Sequence, residues 1–182
     1  MAKAIGMIEY VTVSLGVEAA DTMVKAADVD IIEAQVVCPG KYIALITGEL
    51  SAVKAAIEAA TRKCPEKVVD TFVLGNPHES IFPAIYGANE VENPKALGVL
   101  ETYSAASIIR AADSAAKTAE VSLIELRIAK GMCGKSYLFL TGEVAAVSAA
   151  IEKAKSGEQD SSMFLDSTVI ANPDKKIWKN IL

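Results

Sequence analysis

The chain has 182 residues, 52% of them apolar and 23% charged, with a formal net charge of −5 and a mean hydropathy of +0.32. Residues 1–92 carry 7 basic and 13 acidic side chains and residues 93–182 carry 11 and 10, so neither half has the basic excess of a nucleic-acid binder. No apolar run approaches the roughly 18 residues of a membrane span, and Met1–Ala4 does not open an export signal,.

Residues 3–13, rich in Ile, Val and Tyr, predict a strand. Ala19, Ala20, Met23, Val24 and Ala27 recur at spacings of three and four and predict a helix over 16–27,. Val29–Val37 predicts a second strand, Cys38-Pro39-Gly40 a turn, and Lys41–Thr47 a third strand. Leu50, Val53 and Ile57 form a helical stripe over 50–63, and Lys67–Leu74 predicts a fourth strand. A short helix using Ile81, Phe82 and Ile85 follows Asn76-Pro77, and 87–94 reads as a linker. The second half repeats this order: strand 95–103, helix 104–117, strand 120–129, loop 130–135, strand 136–141, helix 143–155, strand 163–170 and a final helix over 174–181.

The repetition extends to residues. Ala4-Ile5-Gly6-Met7-Ile8-Glu9 returns as Ala96-Leu97-Gly98-Val99-Leu100-Glu101, Ala19-Ala20-Asp21 with Lys25 as Ala111-Ala112-Asp113 with Lys117, Thr47-Gly48-Glu49 as Thr141-Gly142-Glu143, and Asn76-Pro77 as Asn172-Pro173. The offset drifts from 92 to 94 to 96, marking small insertions in an internal duplication. The expected fold is α+β: two tandem ferredoxin-like (βαββαβ) domains, 1–90 and 91–182. The alanine and valine surplus suits close helix packing and large subunit contacts.

Three dispersed cysteines, Cys38, Cys64 and Cys133, contain no CxxC and fit reduced thiols better than a disulfide framework,. Cys64 reads as a structural thiol at a helix end. The lone His78 excludes an intrachain multi-histidine metal site. The sequence offers no nucleophile–base pair and no glycine-rich phosphate loop, so an enzyme is not expected; Glu9 and Glu101 read as structural acids of the duplicated fold.

Gly6-Met7-Ile8-Glu9, Ala20-Asp21-Thr22-Met23-Val24-Lys25-Ala26-Ala27, Gly40-Lys41 and Thr47-Gly48-Glu49 before an Ala-rich helix resemble the bacterial microcompartment (BMC) shell domain, with the second repeat keeping the frame in weaker form. The resemblance is to the unpermuted tandem-domain class, and it implies a homotrimer imitating a hexamer that tiles with other shell proteins into a cytoplasmic organelle shell, without nucleic acid or membrane. It further implies that Lys25, Lys117, Asn76 and His78 lie at edge contacts between adjoining hexagons.

Within that class, Val37-Cys38-Pro39-Gly40-Lys41 resembles the loop of the iron–sulfur shell proteins of propanediol-utilisation microcompartments. This implies a central pore at which Cys38 from three chains ligates one [4Fe-4S] cluster per trimer, for electron transfer to redox enzymes on either face. Cluster irons are held by cysteine thiolates, and a threefold axis converts one cysteine into three. Pro39, Gly40, Lys41, Cys133 and Gly134 are then pore-loop residues. Gly40 is expected to leave its N–H free toward cluster sulfur, and Lys41 to offset cluster charge or face solvent. Cys133 falls near the position of Cys38 but not at it, as a bystander or an additional ligand. The alternative is a cluster-free pore conducting small metabolites.

Overall fold

The computed structural model describes residues 4–159 and 162–182. Along the chain run β1 (Ala4–Tyr10), α1 (Val13–Ala26), β2 (Val29–Val37), β3 (Lys41–Gly48), α2 (Leu50–Lys63), β4 (Val68–Leu74) and α3 (Ile81–Ile85). They are followed by β5 (Ala96–Thr102), α4 (Ala105–Thr118), β6 (Val121–Arg127), β7 (Ser136–Gly142), α5 (Val144–Gln159), β8 (Phe164–Ile170) and α6 (Lys175–Ile181). The strands form two four-stranded sheets with orders β2-β3-β1-β4 and β6-β7-β5-β8, the α+β double βαββαβ arrangement that the sequence predicts. No described helix is long and apolar enough to cross a membrane.

The duplication reaches the register. β1 pairs with β3 from Ala4 opposite Gly48 to Tyr10 opposite Tyr42, and β5 with β7 from Ala96 opposite Gly142 to Thr102 opposite Ser136. In both sheets the first strand slips against the fourth near its end, between Glu9 and Tyr10 and between Glu101 and Thr102. The first strand ends at Tyr10, three residues short of the predicted 3–13. Val11-Thr12-Val13 is β-branched and favours a strand, but Thr12 takes the extended N-cap conformation (φ −130°, ψ 146°) and α1 starts at Val13.

The chain folds into two compact units. The first extends to Pro77 and takes in Ser104–Ala106 and Ala129–Gly134; the second comprises His78–Tyr103, Ser107–Ile128 and Lys135–Leu182. In the first, Ala4, Ile8 and Tyr10 of β1 meet Met23 of α1 and Val53 and Ile57 of α2. The Tyr10 hydroxyl reaches out of this apolar layer to donate to the Ala60 carbonyl at 2.7 Å.

In each unit the helix after the third strand lies on the first strand at a distance only glycine permits. A Cβ on Gly6 would sit 2.7 Å from Val53 Cγ1 and 2.9 Å from Ile57 Cγ1; one on Gly98 would sit 2.7 Å from Leu140 Cδ1 and 2.9 Å from Val147 Cγ1. Gly6→Ala therefore overpacks the core and is expected to cost about 1–3 kcal/mol, several degrees of melting temperature. Gly157→Ala, in α5 with nothing within 4 Å of the added carbon, is expected to raise stability by roughly 0.5–1 kcal/mol. Thermal melts followed by circular dichroism separate the two.

Candidate functional site

The β2–β3 turn holds Cys38. Val37 and Lys41 face each other across the hairpin, the Cys38–Pro39 peptide is cis, and Gly40 has φ +101°. The Cys38 thiol is half-buried beside a hollow of about 440 Å³ lined by Val36, Val37, Cys38, Pro39, Gly40, Lys130 and Gly131. The turn's backbone donors are used inside the fold. Cys38 N–H donates to the Ala129 carbonyl at 3.1 Å and Gly40 N–H to the Val37 carbonyl at 2.9 Å. This corrects the expectation of a free Gly40 N–H: the turn closes on itself through that bond.

Residues Ala129–Gly134, part of the first unit, pack on the turn. Gly134, at φ +87°, would place a Cβ 3.1 Å from both the Cys38 carbonyl oxygen and Pro39 Cδ, so only glycine fits this approach. The β6–β7 connection spans 128–135, against 38–40 for β2–β3. It absorbs its extra residues with positive φ at Ala129, Gly131, Cys133 and Gly134. Cys133 is exposed, beside the glycine that touches the Cys38 turn. Cys64 caps the C-terminus of α2 and packs on the core as a helix-end thiol.

Behind the turn lies a buried ion pair. The Glu9 side chain is fully buried and Lys41 is only 13% exposed. Lys41 Nζ donates to Glu9 Oε1 and, at 3.3 Å, to the Gly134 carbonyl. Glu9 Oε2 accepts the Ala105 N–H at 2.9 Å. Lys41 thus neither faces solvent nor is free to offset a cluster's charge, because its ammonium is committed to Glu9. Burial pushes the Glu9 carboxyl above its ordinary 4.5, against the pull of Lys41 and the Ala105 N–H; Asp70 across the strand pushes the same way. Among the described residues no group of three or more His, Cys, Asp or Glu side chains could hold a metal ion within one chain.

Lys25, its side chain 73% exposed, pairs with Asp21 at 2.7 Å. Lys117 pairs with Asp113 at 2.7 Å, whose other oxygen accepts the His78 N–H at 2.8 Å. Asp113 thereby joins two of the expected edge residues. His78 Nδ1 lies 2.8 Å from Ser80 Oγ, and Asn76 is exposed with φ 133°. Sequence reasoning gave Asp113 and Asp70 no role. Their signal was recurrence, since Asp113 repeats Asp21 at an offset of 92 and Asp166 repeats Asp70 at 96.

Two units of this topology, each with a glycine-seated helix on its first strand, define a tandem-domain protein. The chain belongs to the BMC domain family, whose domain matches residues 4–77 and 96–173. It is 35% identical over 182 residues to the bacterial microcompartment shell protein PduT of Citrobacter freundii, covering 100% of this chain and 99% of that one. A crystal structure of a microcompartment protein from Desulfitobacterium hafniense DCB superposes with a TM-score of 0.86 at 42% identity, over 98% and 99% of the two chains. The carboxysome shell protein CcmK2 of Synechocystis sp. is 38% identical over 85 residues, 44% of this chain and 82% of its own. The chain is a structural microcompartment shell protein and not an enzyme, and its place is the shell.

Lys41→Met leaves the Glu9 carboxylate buried without its cation, and about 3–5 kcal/mol of stability should be lost at pH 7. A carboxyl whose pKa is higher folded than unfolded contributes stability that is full below pH 4.5 and lost as pH rises through the folded value. The Lys41→Met deficit should therefore shrink as pH falls from 7 toward 4.5, and adding Glu9→Gln should recover most of it at pH 7. Urea unfolding at the two pH values measures both effects.

Proposed function

We propose that three copies form a ring whose central pore is lined by the Cys38 turn, and that the three Cys38 thiolates hold one [4Fe-4S] cluster there. The observation that carries this reading is the half-buried Cys38 thiol, at the tip of a hairpin beside an open hollow, in a chain that assembles no metal site alone among its described residues. A threefold axis is the simplest way for such a chain to converge several thiolates. The residues fit the group: the thiol is accessible, and Val36, Val37, Pro39 and Gly131 around it are apolar or small. Pro39 removes an N–H and stiffens the approach.

When bound, the cluster would supply one-electron transfer across the shell, to and from redox enzymes on either face. The chain's own residues would hold the thiol in place. Cys38 N–H is tied to Ala129, and the turn is pinned from behind by Lys41 on Glu9. Anaerobic purification with iron counting and EPR tests this. About four irons per three chains, lost in Cys38→Ser and kept in Cys133→Ser, is the expected result.

A cluster-free pore passing small metabolites is the second reading. The internal use of both turn N–H groups favours it, since these are the donors that would otherwise face cluster sulfur. A colourless wild-type assembly even after reconstitution with iron and sulfide would decide for this reading.

The edge roles of Lys25, Lys117, Asn76 and His78 belong to the same proposal. Lys25 projects from the end of α1 into solvent, where it can meet a neighbouring ring. Lys25→Ala with Lys117→Ala is expected to abolish flat sheets in electron micrographs while leaving the mass of the individual ring unchanged.

A further inference from the structure

Two matched segments of the duplication carry opposite charge. His78-Glu79-Ser80 follows Asn76-Pro77, and Asp174-Lys175-Lys176 follows Asn172-Pro173 at the offset of 96. With histidine neutral, the first holds one carboxylate, and the second holds one carboxylate and two ammoniums. The charged residues nearby are kept in both copies: Asp21 and Lys25 return as Asp113 and Lys117, and Glu49 returns as Glu143. The reversal is therefore confined to the stretch after Asn-Pro.

These charges are available to a partner. Glu79, Lys175 and Lys176 are exposed, and among the described residues none of them enters an ion pair. Asp174 is used locally: its Oδ1 accepts the Lys176 N–H at 2.8 Å and caps α6. The two ammoniums thus dominate their segment, as the Glu79 carboxylate dominates the other.

Glu79 also stands where an edge is expected. Its neighbour His78 donates its N–H to Asp113 Oδ1 at 2.8 Å, and Asp113 Oδ2 accepts from Lys117 at 2.7 Å. Glu79 is thus one residue from the node that joins two of the proposed edge residues. Lys175 holds the same place in the second repeat, one residue after Asp174.

In a ring of alternating repeats, opposite sides are three steps apart. That number is odd, so opposite sides belong to different repeats. Rings related by simple translation then set a first-repeat side against a second-repeat side at every contact. A neighbour turned by one step sets like against like, Glu79 on Glu79 or Lys175 and Lys176 on their own copies.

We infer that this charge reversal fixes how rings lie side by side. Glu79 of one ring faces Lys175 and Lys176 of the next, and every ring in a layer takes the same rotational setting. This rests on the ring and sheet reading above and adds to it a rule for which side meets which. A single exposed ion pair contributes little. Here the preference is repeated on every side, and the wrong setting opposes like charges, so the discrimination accumulates.

Pelleting of sheets from the full chain measures the concentration at which rings associate. Glu79→Lys makes every side basic and should raise that concentration about tenfold or more, with the mass of the ring unchanged in sedimentation. Lys175→Glu with Lys176→Ser makes every side acidic and should do the same. A glutamate in the first turn of α6 suits the helix dipole, so the fold is not threatened. Combining all three substitutions exchanges the charges and should restore sheets, which a merely structural role for either segment would not produce. Association of Glu79→Lys equal to wild type, or no recovery in the combined variant, overturns the pairing and leaves the tiling standing. Loss of the ring itself in Glu79→Lys places Glu79 within the ring and also overturns the pairing. Wild-type rings that never form sheets overturn the tiling and the pairing together.

Discussion

The carboxylate of Glu9 is the constraint from which the rest of the site follows. Removing a carboxylate from water costs several kcal/mol after relaxation, and only good partners offset that. Glu9 has two: the Lys41 ammonium on one oxygen and the Ala105 N–H on the other. The second also lies at the first residue of α4, where the helix dipole favours a negative charge. Each partner then fixes something else. Lys41 opens β3 directly after the Cys38 turn and also holds the Gly134 carbonyl, so the turn and the loop that packs on it share one anchor. The thiol therefore sits on a rigid hairpin although it belongs to a connection.

The duplicated acids of the two first strands differ in burial, and burial decides what each pair contributes. Glu9 is fully enclosed and paired tightly with Lys41. Glu101, at the matching place, keeps Lys135 at 3.7 Å with both side chains partly in solvent, where an ion pair contributes little. The first pair is a fixed part of the fold. The second retains the same chemical capacity with much less of it spent.

The fold was legible in the sequence because it rests on local signals: period-2 and period-3.6 patterns, the Cys38-Pro39-Gly40 turn, and a repeat strong enough to align strand with strand. Element ends moved by a few residues, as at Thr12, where the β-branched run leads into α1 instead of prolonging β1. The site was legible only in outline. Cys38 stood out by residue type and position, but the partners of Lys41 and Gly40 did not. Lys41 and Glu9 are 32 positions apart and Ala105 lies 96 beyond Glu9, and no spacing rule spans such distances. Gly40 looked like a free donor because sequence reveals a flexible residue and not the acceptor its N–H will find. The acids Asp70 and Asp113 carried a usable sign in their recurrence, but recurrence alone does not say whether a copy serves the fold or an interface.

The differences between the repeats bear directly on the thiol. Cys38 opens a three-residue turn, while the matching connection of the second repeat is eight residues long and sets its cysteine at a displaced, exposed position in the left-handed region. In a ring of alternating repeats, the two loops would alternate around the axis. A ring of identical single domains would converge six copies of whatever its loop carries; a ring of fused, diverged domains converges three. Three is the number that leaves one corner of a cubane cluster open, and six would crowd it. Fusion followed by divergence of one loop is thus a way to set ligand number by symmetry. In the proposed ring, the two-residue insertion between Arg127 and Tyr137, which moves Cys133 off the Cys38 position, is the sequence change that would do it.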